Sequence, residues 1–148
     1  MYQHILIATD GSDTSERALR EAILLARNQQ ALLRVAYVVD EASIFSDAEF
    51  VDRTAIERTW IHKGHAILEK AKKAAEAEGL TIETKMLETE SLGEKVAHAI
   101  VEEARHWPAD LIVVGTHGRK GLRHLLVGSI AEGVIRDSHV PILLVRLP

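Results

Sequence analysis

Five short apolar runs alternate strictly with four segments of helical periodicity, and few architectures accept that order. The runs are HILIAT (4–9), LLRVAYVV (32–39), TIETKML (81–87), DLIVVG (110–115) and PILLVRL (141–147). Strictly alternating strands and helices imply a mostly parallel sheet with helices on both faces. The first, second and fourth runs are nearly continuous in apolar residues, as suits strands covered on both sides. The third sets Ile82, Thr84 and Met86 against Glu83, Lys85 and Leu87, the pattern of a half-exposed edge. Right-handed crossovers then favour an open α/β sheet of order 3-2-1-4-5. At 148 residues, the chain fits one such domain, residues 1–148, which buries roughly 70% of its unfolded surface.

The helical segments read as follows. The first, Thr14 to Asn28, carries Ala18, Ala22 and Leu25 flanked by Leu19, Ile23 and Ala26. The second, Asp52 to Glu78, has an apolar stripe at Ile56, Trp60, Ile67, Ala71 and Ala74. Gly64 falls on that stripe, where a missing side chain allows close packing. The third opens with the capping box SLGE (91–94) and ends before Pro108. The fourth is SIAEGVIRD, in which Ser129 and Glu132 repeat the Ser-x-x-Glu pattern; the Ser129 hydroxyl either caps this helix or turns to a phosphate or metal ion.

Ligands of such sheets bind outside the carboxyl ends of the strands, where the strand order reverses. Here that is between strands 1 and 4, so two segments meet: ATDGSD after strand 1, and the stretch that follows strand 4. The latter is long, with glycines at 115, 118, 121 and 128 and with Arg119, Lys120, Arg123 and His124 among them. Connections of this length are uncommon in compact domains and often functional. Glycines permit positive φ and close backbone approach, and a helix N-terminus supplies free N–H groups and a favourable dipole. The combination suits a phosphate. The same composition also suits a surface loop whose glycines only form turns.

Other chemistries find no support. The net charge of −4 gives no reason to expect nonspecific nucleic-acid binding. Cysteine is absent, which removes disulfides, thiolate catalysis and cysteine metal sites. No apolar run approaches membrane-spanning length, so a cytoplasmic protein without membrane contact is expected. There is no Gly-x-x-x-x-Gly-Lys-[Ser/Thr], no Gly-x-Gly-x-x-Gly after strand 1, and VGSIAEG is not a Gly-x-Ser-x-Gly elbow. TDGSDTS resembles the phosphate loop of adenylating synthetases but lacks their paired glycines. A receiver domain would need an Asp ending strand 3, which instead ends MLETE. His62 and His65 share a helix face without a third ligand nearby in sequence, so no metal site is assigned.

The spacing Gly115-x2-Gly118-x9-Gly128-Ser129 resembles the nucleotide-binding pattern of the universal stress protein family. The opening ILIATDGSDTSERALREA and the closing DSHVPILLVR resemble that family's first strand and helix and its last strand. The resemblance implies a Rossmann-like sheet of the adenine nucleotide alpha hydrolase kind, and it points to the ATP-binding branch. It places Asp10 near the ribose, the Val38 backbone at the adenine edge, and Val114 in the base pocket. Gly115, Gly118, Gly128 and Ser129 become phosphate contacts. Ala8 and Thr9 complete the strand 1 side, and Ala8 stands where several members carry proline or valine. Arg119 and Lys120 are possible counter-charges. Asp10 has a competing role as a capping residue of the first helix. The implied cofactor is ATP, with Mg²⁺ plausible through the phosphates and Ser129. The implied role is regulation in the stress response rather than catalysis; the alternative is slow ATP hydrolysis or nucleotidyl transfer on the same fold.

Two further expectations concern surfaces. The segment 40–51, with Ile44, Phe45 and Phe50, either flaps over the nucleotide or tucks into the core edge. The last strand, Ile142 to Leu147, is apolar on both faces with Arg146 its single charge. Such an edge invites a second chain, and a homodimer through it agrees with the family resemblance.

Overall fold

A computed structural model of the chain describes residues 1–39, 53–89, 96–116 and 128–147. Its elements run β1 (His4–Ala8), α1 (Asp13–Gln29), β2 (Leu32–Val39), α2 (Arg53–Ala77), β3 (Glu83–Glu88), α3 (Val96–His106), β4 (Leu111–Gly115), α4 (Ser129–Asp137) and β5 (Ile142–Val145). The strands form one sheet in the order β3-β2-β1-β4-β5. Every neighbouring pair is parallel, with Ile5 opposite both Leu33 and Leu111 and with Val113 opposite Leu143. The order inferred from alternation and crossover handedness is the observed one.

Side-chain alternation along the strands divides the interior into two layers. Ile5, Ile7, Val35, Tyr37 and Val113 point to the face covered by α1 and α2. Leu6, Ala36, Ile112 and Val114 point to the face covered by α3 and α4. The central strands are buried on both sides, whereas β3 lies at an edge with Glu83, Thr84 and Lys85 all exposed and Met86 and Leu87 both half-buried, so the expected alternation is not kept there.

The helix limits follow local chemistry. Ser12 caps α1, its hydroxyl accepting from the Ser15 N–H at 3.3 Å. The helix ends where Gln30 turns left-handed (φ 56°) and the Ala31 N–H reaches the Ala26 carbonyl at 2.9 Å, a Schellman-type stop. In α1 the buried residues include Ala18, Leu19, Ala22, Ile23 and Ala26, while Leu25 is half-buried. On α2 Ala71 is buried as expected, but the stripe is displaced at its end: Ala74 is exposed, and Ala75 is buried instead, with Leu68 buried as well. The apolar positions there are dense enough to fit two stripe phases, and contact with the sheet selects one. The capping box 91–94 lies outside the described residues.

The amino edge of the sheet is closed by a polar network. The Asp110 carboxylate accepts the Gln3 and His4 N–H groups at 2.8 and 3.0 Å. Arg34 bonds Glu83 at 2.7 Å and the largely buried Glu103 at 2.6 Å. Its guanidinium lies 4.7 Å from the centre of the Trp107 ring, which His4 meets edge-on.

Candidate functional site at the carboxyl edge of the sheet

Beyond Ala8, the chain leaves β1 and turns into α1 within a few residues. Asp10 Oδ1 accepts the Ser12 N–H at 2.9 Å, and the Thr9 hydroxyl accepts the Gly11 N–H at 3.3 Å. The same Thr9 hydroxyl donates to Ser15 Oγ at 3.0 Å, and Ser15 in turn bonds the Ser12 carbonyl at 3.0 Å. Gly11 takes φ +81°, a left-handed conformation that a residue with Cβ adopts only under strain. The turn is therefore rigid, and it holds Asp10 at the strand exit. Capping of α1 falls to Ser12, while Asp10 supports the turn through one carboxylate oxygen.

Thr9 does less than its place in the motif suggests. Its side chain is buried and committed to the turn, and its N–H bonds the Ala36 carbonyl at 2.9 Å. Ala8, Val38 and Val114 are brought together on the other face of the sheet, with the cluster of α3 and α4. Val38 lies past the last residue of β1 in register, because Ala8 pairs with Ala36. In β2 the even-numbered residues turn their main chain toward β1, as the Leu32 N–H to Gln3 and the Ala36 carbonyl to Thr9 show. The amide groups of Val38 thus face the crevice where β1 has ended.

The far wall is set by β4. Gly115 is a close-packing position: a Cβ there would come within 2.7 Å of Thr14 Cγ2 and 3.2 Å of the Thr14 main chain. Its lack of a side chain lets the first turn of α1 sit directly on the end of β4. Thr116 is buried, and its carbonyl accepts the Gly128 N–H. That bond draws both ends of the 117–127 stretch to one point, so Gly115 and Gly128 lie on the same side of the crevice. Thr116 carries no signal in the sequence that would have marked it. Gly118, Arg119, Lys120 and the rest of 117–127 lie outside the described residues, as does the 40–51 segment.

Ser129 is not the helix cap. Gly128 occupies that position, extended at φ −72° and ψ 163°, and its carbonyl accepts the Glu132 N–H at 2.9 Å. Because the Thr116 contact fixes Gly128 at the turn, the helix begins one residue earlier than a Ser129 cap would imply. The cap has no side chain to bond the first-turn amides, and Ser129 is exposed at the first helical position. A helix start of this kind favours an anion.

A groove of about 430 Å³ between α1 and α2 reaches this edge only at Thr9 and Gly11. Among the described residues no group of three or more His, Asp or Glu side chains is placed to hold a metal ion, and no helix is long and apolar enough to cross a membrane.

A parallel sheet with its order reversed at β1–β4, a rigid acidic turn on one side and an uncapped helix start on the other, defines a Rossmann-like α/β protein with a carboxyl-edge site. The universal stress protein family model matches residues 1–146, and the chain belongs to that family. A universal stress protein of Methanocaldococcus jannaschii is 40% identical over 148 residues, spanning 100% of this chain and 84% of the relative. A solved universal stress protein in complex with cAMP is 32% identical, with a TM-score of 0.68 and coverage of 97% and 96%. Another, from Archaeoglobus fulgidus in complex with dAMP, is 25% identical, with a TM-score of 0.68 and coverage of 97% and 98%.

Proposed function

We propose that the chain holds an adenine nucleotide, ATP foremost, across the β1–β4 crevice and acts as a cytoplasmic regulatory protein of the stress response. The adenine packs on Ala8, Val38 and Val114, and the Val38 amide groups read its edge. Asp10 accepts hydrogen bonds from the ribose. The phosphates lie against Gly115 and Gly118, with Arg119 as counter-charge, and against the first-turn amides of α4 at Gly128 and Ser129. Mg²⁺ is held by the phosphates and the Ser129 hydroxyl. Thr9 contributes through its main chain. The protein works as a homodimer paired through β5.

The observation that carries this reading is the uncapped start of α4, fixed beside Gly115 by the Thr116 carbonyl and facing the Val38 main chain across the crevice. The adenine nucleotides bound by two solved relatives support the choice of ligand. Holding rather than turning over follows from the donor set. In-line attack on a phosphate needs a positioned water and usually a metal ion, and no Asp or Glu stands between Gly115 and Ser129 to serve either.

Ser129→Glu tests the phosphate assignment. A carboxylate in the first turn suits the helix dipole, so the fold should be retained, while like charge beside the phosphates should weaken ATP binding by about tenfold or more. Calorimetry with circular dichroism as the control gives the answer. Unchanged affinity in a folded variant removes the phosphates from α4.

A further inference from the structure

The groove between α1 and α2 meets the nucleotide reading only at its end, at Thr9 and Gly11. Its floor is aliphatic: Leu19 from α1 with Ile67 and Ala71 from α2, flanked by the exposed Ala66 and Ala74. Along α2 it extends from Lys63 to Ala74, about 16 Å at the rise of an α-helix. One end is closed by the Gly11 turn, against which Ile67 packs so tightly that a Cβ on Gly11 would lie 3.0 Å from Ile67 Cδ1. Its volume of about 430 Å³ falls within the roughly 300–1,000 Å³ of small-ligand pockets.

The rim is basic. Arg20, Lys63 and Lys70 stand on it against a single acid, Glu16. Arg20 has no ion pair among the described residues. Among the described residues Lys63 has only the Trp60 ring, 5.1 Å from Nζ to its centre. Lys70 reaches across the groove to Glu16 at 2.6 Å, the lysine being well exposed and the glutamate partly so. An exposed pair of this kind contributes little to stability, so an incoming anion can take the place of Glu16 at small cost.

We propose that this groove binds a small anionic amphiphile: a carboxylate or phosphate head set among Arg20, Lys63 and Lys70, joined to a linear apolar body lying on Leu19, Ile67 and Ala74. The floor offers nothing that would read a base or a sugar: its lining residues include no aromatic plane, and the buried hydroxyl of Thr9 at its end is committed to Ser15 and the Gly11 N–H. An uncharged apolar ligand would leave the three cations unused. A ligand with both parts satisfies floor and rim together. This site stands whether or not a nucleotide occupies the carboxyl edge.

The test uses nucleotide-free protein titrated with decanoate, decyl phosphate and decanol, each below its micellar range, followed by calorimetry and amide NMR. Binding of either anion is expected, with shifts centred on Leu19, Ala66, Ile67 and Ala74. Preference between the two anions identifies the head group. Decanol should bind at least tenfold more weakly. The double variant Arg20→Glu, Lys63→Glu should lose at least tenfold in anion affinity, and Ala66→Trp should do the same by filling the groove, with circular dichroism confirming both folds. The proposal is overturned if neither anion binds, if decanol binds as well as the anions, if the shifts map elsewhere, or if both folded variants keep the original affinity.

Discussion

Gly64 illustrates how a single absent side chain sets the height of a helix above the sheet. It sits in the middle of α2, where alanine would ordinarily favour the helix by about 1 kcal/mol. A Cβ at this position, however, would lie 2.6 Å from Tyr37 Cδ1 and 2.8 Å from Met86 Cε. The Tyr37 ring is fully buried and cannot retreat without moving β2. Overpacking of this kind costs about 1–3 kcal/mol, so packing should outweigh propensity. Gly64→Ala is expected to be less stable than the wild type in urea unfolding; a stabilised variant would show that the ring has room to shift. The same logic separates the roles at the site. Gly115 is required by the approach of Thr14, and Gly11 by its left-handed φ.

At the scale of elements, β5 is the exposed flank of the sheet. Its odd-numbered residues serve β4, since the Ile112 N–H bonds the Pro141 carbonyl and the Thr116 N–H bonds the Val145 carbonyl, each at 3.0 Å. By the alternation of a parallel ladder, Ile142 and Leu144 turn their amide groups outward. Leu143 and Leu144 are exposed, as is Leu147 beyond the strand. Ile130 and Ile135 of α4 are exposed as well. Outward amide groups without a partner among the described residues, beside exposed leucines, are what the proposed dimer would consume, two copies pairing about a two-fold axis. Leu144→Pro removes one outward donor while leaving the bonds to β4 in place, and proline is tolerated on an edge. Sedimentation velocity at micromolar concentration should show a dimeric wild type and a folded, monomeric variant. A wild type that sediments as a monomer would end the dimer proposal.

For the whole molecule, the two edges of the sheet have separate duties. The carboxyl edge carries the turns and the helix start, and the amino edge carries the ionic network of Arg34, Glu83 and Glu103. Arg34 and Glu103 are mostly buried, whereas Glu83 is half exposed. Removing Arg34 leaves the Glu103 carboxylate without its cation in a site largely closed to water. Arg34→Ala should therefore destabilise by an amount near the lower end of the ~3–5 kcal/mol typical of a broken buried pair, because part of the network remains solvated. Adenine nucleotide affinity should be unchanged after correction for the folded fraction, since the network lies at the end of the sheet away from the site. A loss of stability below ~1 kcal/mol, the range of surface pairs, would mean that water reaches Glu103 freely.

How much of this was legible in the sequence depends on the range of the interaction involved. The strand order follows from alternation and the handedness of crossovers, which are local rules, and SIAEGVIRD coincides with α4 because its apolar spacing spans the segment. The positions of Ala8, Val38 and Val114 at strand ends were readable for the same reason. The sequence could not choose between Ala74 and Ala75 on α2, because both fit a helical stripe and only contact with the sheet distinguishes them. It could not show that Gly128 rather than Ser129 caps α4, since that is decided by the carbonyl of Thr116, across the 117–127 stretch. Nor could it pair Arg34 with Glu83 and Glu103, which lie 49 and 69 positions away. Periodicity reports what one segment does along its own axis. Which carbonyl, carboxylate or ring stands opposite is settled only when distant segments pack, because burial and hydrogen bonding are properties of the assembled chain.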